Sequence, residues 1–501
     1  MSHRLNGSKY KIVANLAFLK NKPLTRQKKG VKGLQLIEDD RLFPVDSYGR
    51  GLAQELFASV RNLPIFSPHG HTNPVWYAKD EPFDNPAALF VTADHYVFRM
   101  LYSQGIALED LGISPLDGSK VEANPREIWR RFAVNYHLFR GTPSRLWIDH
   151  SLQEVFDVDQ VLTAKTSDTI YDQIATCLTL SEYRPRALFD RFNIEVISTT
   201  EGALDTLEHH KAILASDWNG RVITTYRPDE VIDPEHHKFL DNLQRFGEIT
   251  GCDVLSWKGY LEAHRIRRQV FCDHGATSTD HGHPTARTAN LSAVEAEALF
   301  DIVVKGKHTS EQAEFFRAQM LTEMARMSQE DGMVMQIHPG SFRNHSSNVF
   351  ARYGSDKGFD IPCRTDYVNN LRPLLEVAGH DPNFTLIIFT LDETAYGREL
   401  APLAGVYPAL KLGPAWWFFD SVYGMQRFRE LTTETAGFYN TVGFNDDTRA
   451  FCSIPARHDV ARRVDCTFLT SLVMTGRLRE YEAFDLAQDL TINLARKAYR
   501  L

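Results

Sequence analysis

Eight short apolar runs, each ending in polar residues and separated by helical patterns, constrain the fold of this 501-residue chain more than any other feature. The runs are Leu63–His71, Asn193–Glu201, Arg221–Arg227, Ala276–Gly282, Met333–His338, Phe384–Asp392, Ala409–Pro414 and Asn440–Asp447. Strands that alternate with helices pair in parallel, and eight such units favour a closed (β/α)8 barrel of the TIM type over an open sheet. We therefore expect an α/β chain whose polar strand ends meet at one mouth, where such barrels place their active sites.

The segments between these runs carry helical periodicity. Apolar residues recur at a spacing of about 3.6 in Leu291–Lys305, Ser310–Met327 and Val368–Ala378. Ser310 is followed directly by Glu311 and Gln312, which predicts that Ser310 caps the start of its helix.

One connection is unusually long, because roughly 120 residues separate the first run from the second and an ordinary βα loop needs far fewer. Its helical patterns are Asp94–Ser103, Pro125–Leu138, Ser151–Val155 and Asp168–Thr179. We predict a large helical insertion between strands 1 and 2, over about residues 75–190, beside the mouth of the barrel.

The N-terminal segment is basic: nine lysines and arginines precede the first acidic residue, Glu38. Its apolar run Ile12–Leu19 is too short to span a bilayer and is not followed by a small-residue cleavage site. We interpret residues 1–34 as a flexible basic extension and residues 35–501 as the folded unit.

Composition narrows the class of protein. A hydrophobic content of 43%, a charged content of 24% and a net charge of −8 are ordinary for a soluble globular protein and predict no nucleic-acid or membrane partner. The six cysteines form no CxxC pair, which suits a reducing compartment and argues against a thiolate metal site. We therefore expect a cytoplasmic protein.

The first run ends in His69-Gly70-His71, whose two imidazoles are two residues apart and would project from the same side of a strand. They form half of a divalent-metal site, or a polar turn that happens to contain two histidines. A carboxylate from Asp446 or Asp447, at the end of the eighth run, would lie beside the first strand in a closed barrel. Two imidazoles and one carboxylate leave positions open for substrate, although an aspartate here can equally cap the following helix.

Other strand ends carry further candidates, each with a structural alternative. Tyr226-Arg227-Pro228-Asp229 can be a turn with a local ion pair, and Thr279-Asp280-His281-Gly282 can be a glycine turn. His338 can be a hydrogen-bonded core histidine, and Trp416-Trp417-Phe418-Phe419 can be core or the wall of a sugar site. Their joint placement at strand ends favours a functional site.

Taken together, these motifs resemble the uronate isomerase (glucuronate/galacturonate isomerase) family, an outlying branch of the amidohydrolase superfamily of (β/α)8 barrels. The resemblance runs from about Gln35 to the C-terminus. The motifs that carry it are His69-Gly70-His71-Thr72-Asn73-Pro74, Asp94-His95-Tyr96-Val97-Phe98-Arg99, Arg191-Phe192-Asn193 with Thr199-Thr200, Tyr226-Arg227-Pro228-Asp229, Ser278-Thr279-Asp280-His281-Gly282, Gly413-Pro414-Ala415-Trp416-Trp417-Phe418 and Asp447-Thr448-Arg449. One departure is Ser67-Pro68, where the family often has an aspartate and an aromatic residue; neither position is a metal ligand.

The resemblance implies an aldose–ketose isomerase that converts D-glucuronate to D-fructuronate and D-galacturonate to D-tagaturonate through an enediol(ate). It implies one divalent metal ion, zinc with manganese as the alternative, no organic cofactor, a small hexuronate substrate and a homo-oligomer. It assigns catalytic groups to Asp447, Tyr96, Arg449 and His338, substrate-binding groups to His95, Arg227, Asp280, Arg343, Trp416 and Trp417, and metal ligands to His69, His71 and Asp447. Asp447 is preferred to Asp446 because the family pattern puts one residue between this aspartate and the arginine.

The expected roles follow from the chemistry of isomerisation. The metal polarises substrate oxygens, and Asp447, directly or through water, or Tyr96 relays the proton. The guanidinium of Arg449 holds Asp447 ionised or stabilises the developing oxyanion. Arg227 or Arg343 grips the substrate carboxylate, because the planar guanidinium matches a carboxylate bidentately.

Two other functions stay open from sequence. Binuclear hydrolases of the superfamily need a bridging lysine or glutamate and histidines from the fifth and sixth strands, whereas here the fourth strand ends in Asp280-His281 and the sixth in Thr390-Leu391-Asp392. A mononuclear metal-dependent hydrolase therefore remains the main alternative. A non-catalytic protein that binds sugar acids is the second.

Overall fold

A computed structural model describes residues 36–501, so the predicted extension over residues 1–34 lies outside the described residues. The strands are β1 Ile65–Ser67, β2 Ile194–Gly202, β3 Val222–Arg227, β4 Ser278–His281, β5 Val334–Ile337, β6 Ser341–Phe342, β7 Ile361–Pro362, β8 Leu386–Ile388 and β9 Leu410–Leu412. Seven of them form one parallel sheet in the order β1-β2-β3-β4-β5-β8-β9, and β6 pairs with β7 in a small antiparallel hairpin.

Helices fill the connections between the strands. They are α1 Ser47–Val60, α2 Pro74–Lys79, α3 His95–Tyr102, α4 Pro125–Val134, α5 Pro143–His150, α6 Ser167–Leu178, α7 Pro185–Arg191, α8 Glu208–Leu214, α9 Asp229–Ile232, α10 Phe239–Thr250, α11 Trp257–Asp273, α12 Ala293–Val304, α13 Ser310–Asp331, α14 Ser347–Tyr353, α15 Val368–Ala378, α16 Ala401–Val406, α17 Val422–Ala436, α18 Ile454–Met474, α19 Glu480–Gln488 and α20 Leu494–Tyr499. Short π-helical turns lie at Ala88–Thr92, Ser151–Val155, Tyr396–Leu400 and Asp489–Asn493, and 3-10 turns at Glu109–Leu111, Tyr136–Phe139, Ser181–Tyr183, Trp417–Phe419 and Phe451–Ser453.

The α/β class and the parallel order of the first seven predicted runs are confirmed. The eighth run, Asn440–Asp447, contributes one parallel bridge, from Thr441 to Leu412 of β9, instead of a full strand. Its backbone turns at Gly443 and Asp447, whose φ angles are +77° and +40°, and these are incompatible with an extended strand. Beyond the turn, the His71 amide donates to the Thr448 carbonyl at 3.1 Å, so the chain returns to the first run.

Small polar side chains line the inner face of the sheet. The hydroxyls of Ser198 on β2 and Thr225 on β3 lie 2.8 Å apart, and Thr225 lies 3.2 Å from Ser278 on β4. The Gln336 amide of β5 donates to the same Ser278 oxygen at 3.3 Å. Because each buried hydroxyl finds a partner on the next strand, this polar interior is hydrogen-bonded and adds cross-strand contacts.

The long connection between β1 and β2 contains several helices. The patterns at 94–103, 125–138 and 168–179 correspond to α3, α4 and α6, and Ser151–Val155 is a π-helical turn. These helices share an apolar cluster that includes Trp129, Phe132, Phe139 and Leu152, all fully buried. This packing holds α3, which begins beside the mouth of the sheet.

One helix is capped by a different residue from the one predicted. α15 has the predicted bounds, but Thr309 caps α13 and Ser310 is its first helical residue. The Gln312 amide donates to Thr309 Oγ1 at 3.2 Å, and the Thr309 amide donates to the Gln312 side chain at 2.9 Å. This reciprocal capping box satisfies two amides at the start of the helix. It requires a spacing of three residues, which Thr309 has from Gln312 and Ser310 does not.

All six cysteines lie in the described part of the chain and are free thiols. Within residues 36–501, none of the helices is both long enough and apolar enough to cross a bilayer.

Candidate active site

A cavity of about 440 Å³ opens where the carboxyl ends of the strands meet. All twelve residues predicted for the site line it: His69, His71, His95, Tyr96, Arg227, Asp280, His338, Arg343, Trp416, Trp417, Asp447 and Arg449. They come together because parallel strands place their carboxyl ends at one edge, and because α3 and the loop after β6 cover that edge.

Two imidazoles and one carboxylate, here named the β1 metal group, converge at the base of the cavity. Nε2 of His69 and Nε2 of His71 lie 3.6 Å and 3.2 Å from Oδ1 of Asp447. Ligand atoms of all three residues lie within 4.8 Å of one another. His69 is buried, and Asp447 is 13% exposed, so an ion here would be largely enclosed.

The protonation states of the β1 metal group suit metal binding. Burial raises the pKa of Asp447, but His69 and His71 outweigh it and hold that pKa far below its usual range. Burial lowers the pKa of His71. An ionised carboxylate and a neutral imidazole are the ligating forms, and this mixed nitrogen and oxygen donor group fits a divalent transition metal.

Asp446 and its neighbour Asp447 point to different partners. The Asp446 carboxylate contacts Nε2 of His458 on α18 at 3.0 Å, whereas Asp447 turns toward the histidines of the first run. The turn relies on the left-handed backbone of Asp447, which costs of order 1–3 kcal/mol in a residue other than glycine. Such strain is typical of functional positions.

His69 also belongs to a second candidate ligand group with Asp280 and His338. Both Asp280 oxygens are already engaged: Oδ1 accepts from His338 Nδ1 at 2.6 Å, and Oδ2 lies 3.2 Å from Arg227 Nη1. Burial raises the pKa of Asp280, but Arg227 and His338 hold it well below its usual range. Asp280 therefore orients its neighbours, and the β1 metal group is the better metal candidate.

His338 lies flat beneath the cavity. Its ring stacks on His69 and on Phe389, at centroid distances of 4.7 Å and 3.9 Å, and meets the edge of Trp416 at 4.7 Å. Because Nδ1 donates to Asp280, Nε2 carries the lone pair, and it has no hydrogen-bond partner among residues 36–501. Burial lowers the pKa of His338, so the ring is neutral.

Tyr96 reaches the cavity from the first turn of α3. Asp94 caps this helix by accepting from the Tyr96 amide at 2.8 Å, and the Tyr96 hydroxyl lies 3.3 Å from Oδ1 of Asp420. Burial and the nearby Asp420 raise the pKa of Tyr96 well above its usual value. The hydroxyl therefore stays protonated at neutral pH and can donate to an oxygen atom.

Three comparisons with known proteins bear on this site. The family described as glucuronate isomerase matches residues 47–499. The uronate isomerase of Rhizobium meliloti (strain 1021) is 64% identical over 466 residues, which cover 93% of this chain and 99% of that relative. The crystal structure of glucuronate isomerase from Caulobacter crescentus is 59% identical, with a TM-score of 0.91 over 93% of this chain and 97% of that one. This chain belongs to the uronate isomerase family.

Membership of the uronate isomerase family confirms the predicted family and makes the protein an enzyme that isomerises uronates. The hydrolase alternative is not favoured. Uronate isomerase from Thermotoga maritima, at 24% identity and a TM-score of 0.86, shares the fold.

Three predicted arginines line the cavity of this uronate isomerase, and each forms an ion pair with an aspartate. Arg449 pairs with Asp356 at 2.6 Å, whereas the imidazoles of His69 and His71 lie within 3.6 Å of Asp447. Arg343 pairs with Asp360 at 2.9 Å, and its guanidinium lies 5.2 Å from the Trp417 ring.

Arg227 lies between two carboxylates. Its Nε donates to Asp229 at 2.8 Å, which is the local ion pair expected from sequence, and its Nη1 contacts Asp280. A Cβ on Gly282 would stand 2.1 Å from Nη2 of Arg227, so the glycine leaves room for this guanidinium.

Aromatic rings also line the cavity. His95 stacks on Tyr96 at 5.1 Å and meets the edge of Trp417 at 5.9 Å. Burial lowers the pKa of His95 to about 3, so its ring is neutral. Trp416 is buried, while Trp417 presents part of its ring to the cavity.

The sequence analysis missed Asp420 and Arg457, which support Tyr96 from behind. Arg457 of α18 forms an ion pair with Asp420, and its guanidinium lies 3.6 Å from the Trp147 ring. Burial raises the pKa of Asp420 to about 6 although Arg457 opposes the shift. Neither residue ends a strand; the available signal was that Asp420 directly follows the aromatic motif.

Proposed function

We propose that this uronate isomerase converts D-glucuronate to D-fructuronate and D-galacturonate to D-tagaturonate by moving a proton between C2 and C1 through an enediolate. The observation that carries the proposal is that an ionised carboxylate, a protonated phenol and several guanidinium groups line one cavity with the β1 metal group. An aldose–ketose isomerisation needs a base, an acid and an anchor for the substrate carboxylate, and it needs no organic cofactor.

Arg343 is the better placed of the two candidate anchors for the substrate carboxylate. Among residues 36–501 it forms one ion pair, with Asp360 through Nη1, and 36% of its side chain is exposed. Arg227 already forms ion pairs with Asp229 and Asp280, so fewer of its N–H groups are free to bind a substrate carboxylate. The aromatic wall formed by Trp416 and Trp417 would pack against the sugar ring.

The ionised Asp447, directly or through water, accepts the proton from C2, and the protonated Tyr96 donates to the oxygen that gains charge. Arg449, at the cavity wall, adds positive charge near the enediolate. Neutral His338 offers its bare Nε2 to a substrate hydroxyl. A divalent ion held by the β1 metal group, which we infer to be zinc with manganese as the alternative, would polarise the substrate oxygens.

We also propose a closed barrel, a helical insertion, a cytoplasmic location and a homo-oligomer for this chain. The Thr441 bridge and the amide of His71 support closure of the sheet by residues 440–447 into a (β/α)8 barrel. The apolar cluster of α3, α4 and α6 supports a helical insertion over about 75–190 within a folded unit of 35–501. Free cysteines favour the cytoplasm, and large exposed apolar side chains such as Val294 and Tyr423 favour a homo-oligomer.

The reaction is tested by ¹H NMR of D-glucuronate and of D-galacturonate with the purified protein in D₂O, with and without added Zn²⁺ or Mn²⁺. We expect the ketose product with deuterium at the exchanged carbon. Product without deuterium contradicts proton transfer through solvent-accessible groups and indicates a shielded proton or a hydride shift. No product from either uronate overturns the proposal.

The proton relay is tested by Tyr96→Phe and Asp447→Asn. Each is expected to lower kcat by about 10²–10⁴-fold, because positioned acids and bases typically contribute that much. His274→Gln, a half-buried histidine at the end of α11 outside the cavity, is the control and keeps wild-type turnover. Near-normal kcat in both cavity variants, with native circular dichroism, would contradict these roles. Full activity in verified metal-free protein would remove the metal from the chemistry.

A further inference from the structure

A second group of convergent ligand atoms lies where β3 and β4 end, and we name Asp229, His281 and His283 the β4 histidine group. Ligand atoms of these residues lie within 4.8 Å of one another. We propose that Asp229, His281 and His283 bind a second divalent transition-metal ion, at a site that shares no residue with the β1 metal group. The proposal does not depend on the isomerase reaction.

Strand alternation builds this group. Asp280 of β4 points into the cavity, so the adjacent His281 points to the outer face of the sheet, and Gly282 then turns the chain to bring His283 beside it. Asp229 begins α9, just after β3. The Gly282 amide donates to Oδ2 of Asp229 at 3.0 Å, which ties the two loops together.

Two buried nitrogens of the β4 histidine group lack partners. His281 is 0% exposed and His283 is 5% exposed. In the part of the chain that the structure describes, neither His281 Nδ1 nor His283 Nε2 has a hydrogen-bond partner. Buried polar atoms are nearly always satisfied in native proteins, so two such atoms beside a carboxylate leave a place for a metal ion or a water molecule to bind between them.

The hydrogen bonds around the group leave lone pairs directed at that space. His281 Nε2 lies 3.1 Å from Thr279 Oγ1, and a proton on Nε2 leaves Nδ1 unprotonated. Oδ2 of Asp229 accepts from Arg227 and from the Gly282 amide. Among the described residues, Oδ1 accepts only the longer bond from that amide, at 3.3 Å, so it keeps a lone pair, and it lies 3.9 Å from His283 Nε2. Zinc bonds of about 2.0 Å in tetrahedral geometry separate ligand atoms by roughly 3.3 Å, so a small side-chain movement completes the site.

The protonation states of the three side chains favour a bound metal ion here, rather than a protonated histidine, as the partner of the carboxylate. Burial lowers the pKa of His281 to about 3 and also lowers that of His283, so both rings are neutral. Burial raises the pKa of Asp229, but Arg227 and His283 hold it below its usual value, so it is ionised. Neutral imidazoles and a carboxylate are ligands for zinc, cobalt and manganese. Asp229 and Gly282 line the cavity, which gives an ion access from solvent and room for water as a further ligand.

The test is a count of bound metal. The full-length protein is stripped with dipicolinate, reloaded with Zn²⁺ or Co²⁺, freed of excess metal by gel filtration and analysed by mass spectrometry of the elements. We expect two equivalents in the wild type, one in His283→Gln, one in His71→Gln and none in the double variant. The control variant His274→Gln is expected to retain two.

A wild-type count of one that survives His283→Gln, or a count of zero, overturns the proposal. A single equivalent that survives His71→Gln but is lost in His283→Gln supports the β4 histidine group as a metal site and contradicts metal binding by the β1 metal group. The experiment therefore tests the two sites independently. If His283→Gln does not fold, Asp229→Asn keeps the side-chain volume and is expected to lose one equivalent. Diffraction from zinc-loaded crystals at the zinc absorption edge is expected to show an anomalous peak among the three residues, and an ordinary water there would overturn the proposal.

Discussion

At the residue scale, buried carboxyl groups of this enzyme differ in charge because their neighbours differ. Asp447 and Asp280 are ionised, since imidazoles and a guanidinium lie against them. Glu201 on β2 is equally enclosed, but its donors are the hydroxyls of Thr224 and Thr199, and burial raises its pKa to about 7. The same carboxyl chemistry is therefore ionised in the cavity and keeps its proton up to about pH 7 under α8.

The raised pKa of Glu201 predicts a pH-dependent stability. The folded protein holds this proton up to about pH 7, whereas the unfolded chain releases it near pH 4.5, so stability falls as pH rises between these values. The loss amounts to about 3 kcal/mol at pH 8. Glu201→Gln is expected to remove this dependence and to be more stable than the wild type at pH 8, measured by urea unfolding from pH 5 to pH 8.

A matched control lies on the same strand. Glu195 is exposed and pairs with Arg496 at 3.3 Å, so Glu195→Gln removes the same charge without a burial effect. Its stability is expected to stay within about 0.5 kcal/mol of the wild type across this pH range. Parallel pH curves for the wild type and Glu201→Gln would contradict the assignment.

At the element scale, the first turn of α17 positions the aromatic wall. Ser421 caps this helix by accepting from the Gly424 amide at 3.1 Å. A Cβ on Gly424 would stand 2.1 Å from the Phe419 carbonyl oxygen, so only glycine allows the 3-10 turn Trp417–Phe419 to fold against the helix. Trp417 itself has a φ of +50°, a conformation that this close packing maintains.

Gly424→Ala is expected to destabilise the protein by about 1–3 kcal/mol, because the added methyl group forces backbone movement. The displaced turn carries Trp417, so KM for uronate is expected to rise more than kcat falls. Steady-state kinetics and thermal unfolding measure both effects.

Gly405→Ala in α16 is the control, since its Cβ would meet its nearest atom, the Thr435 carbonyl oxygen, at an ordinary 3.8 Å. It is expected to be neutral or to stabilise the helix by about 0.5–1 kcal/mol. Wild-type KM in Gly424→Ala would show that this turn does not position the wall.

At the scale of the whole molecule, α18 connects distant parts of the chain. Its Arg462 donates to the carbonyls of Val60 and Pro64 ahead of β1, and its His458 contacts Asp446. Its Asp465 receives a bidentate pair from Arg429 of α17, at 2.7 Å and 3.1 Å. Through these contacts the helix holds both chain segments that carry the β1 metal group.

Breaking the Arg429–Asp465 pair from one side is expected to be costly. Arg429→Met leaves a buried carboxylate without its partner and is expected to lower the free energy of unfolding by about 3–5 kcal/mol. The double variant Arg429→Met/Asp465→Leu is expected to lose less than the sum of the two single variants, as measured by urea unfolding. Strict additivity would show that the pair contributes no coupling. Arg427→Met, on the exposed side of α17, breaks a pair with Glu393 and is expected to cost less than about 1 kcal/mol.

Local patterns in the sequence predicted seven strands and the main helices, and the resemblance to a known family supplied twelve of the residues that line the cavity. Apolar runs and helical spacing depend on neighbours close in the chain, and parallel pairing then carries every strand end to one edge. Seven motifs along the chain, from the one around His69 to the one around Asp447, together indicated the family from residue order alone.

Tertiary structure decided what depends on contacts between distant segments. It turned the eighth run away from an extended strand at Gly443, paired Arg449 with Asp356, and placed Asp420 behind Tyr96. It also brought Asp229 beside His281 of β4 and His283 just after that strand, both more than fifty residues away. Charge states and ligand groups depend on distances of a few ångströms, and those distances exist only after the helices and strands have packed.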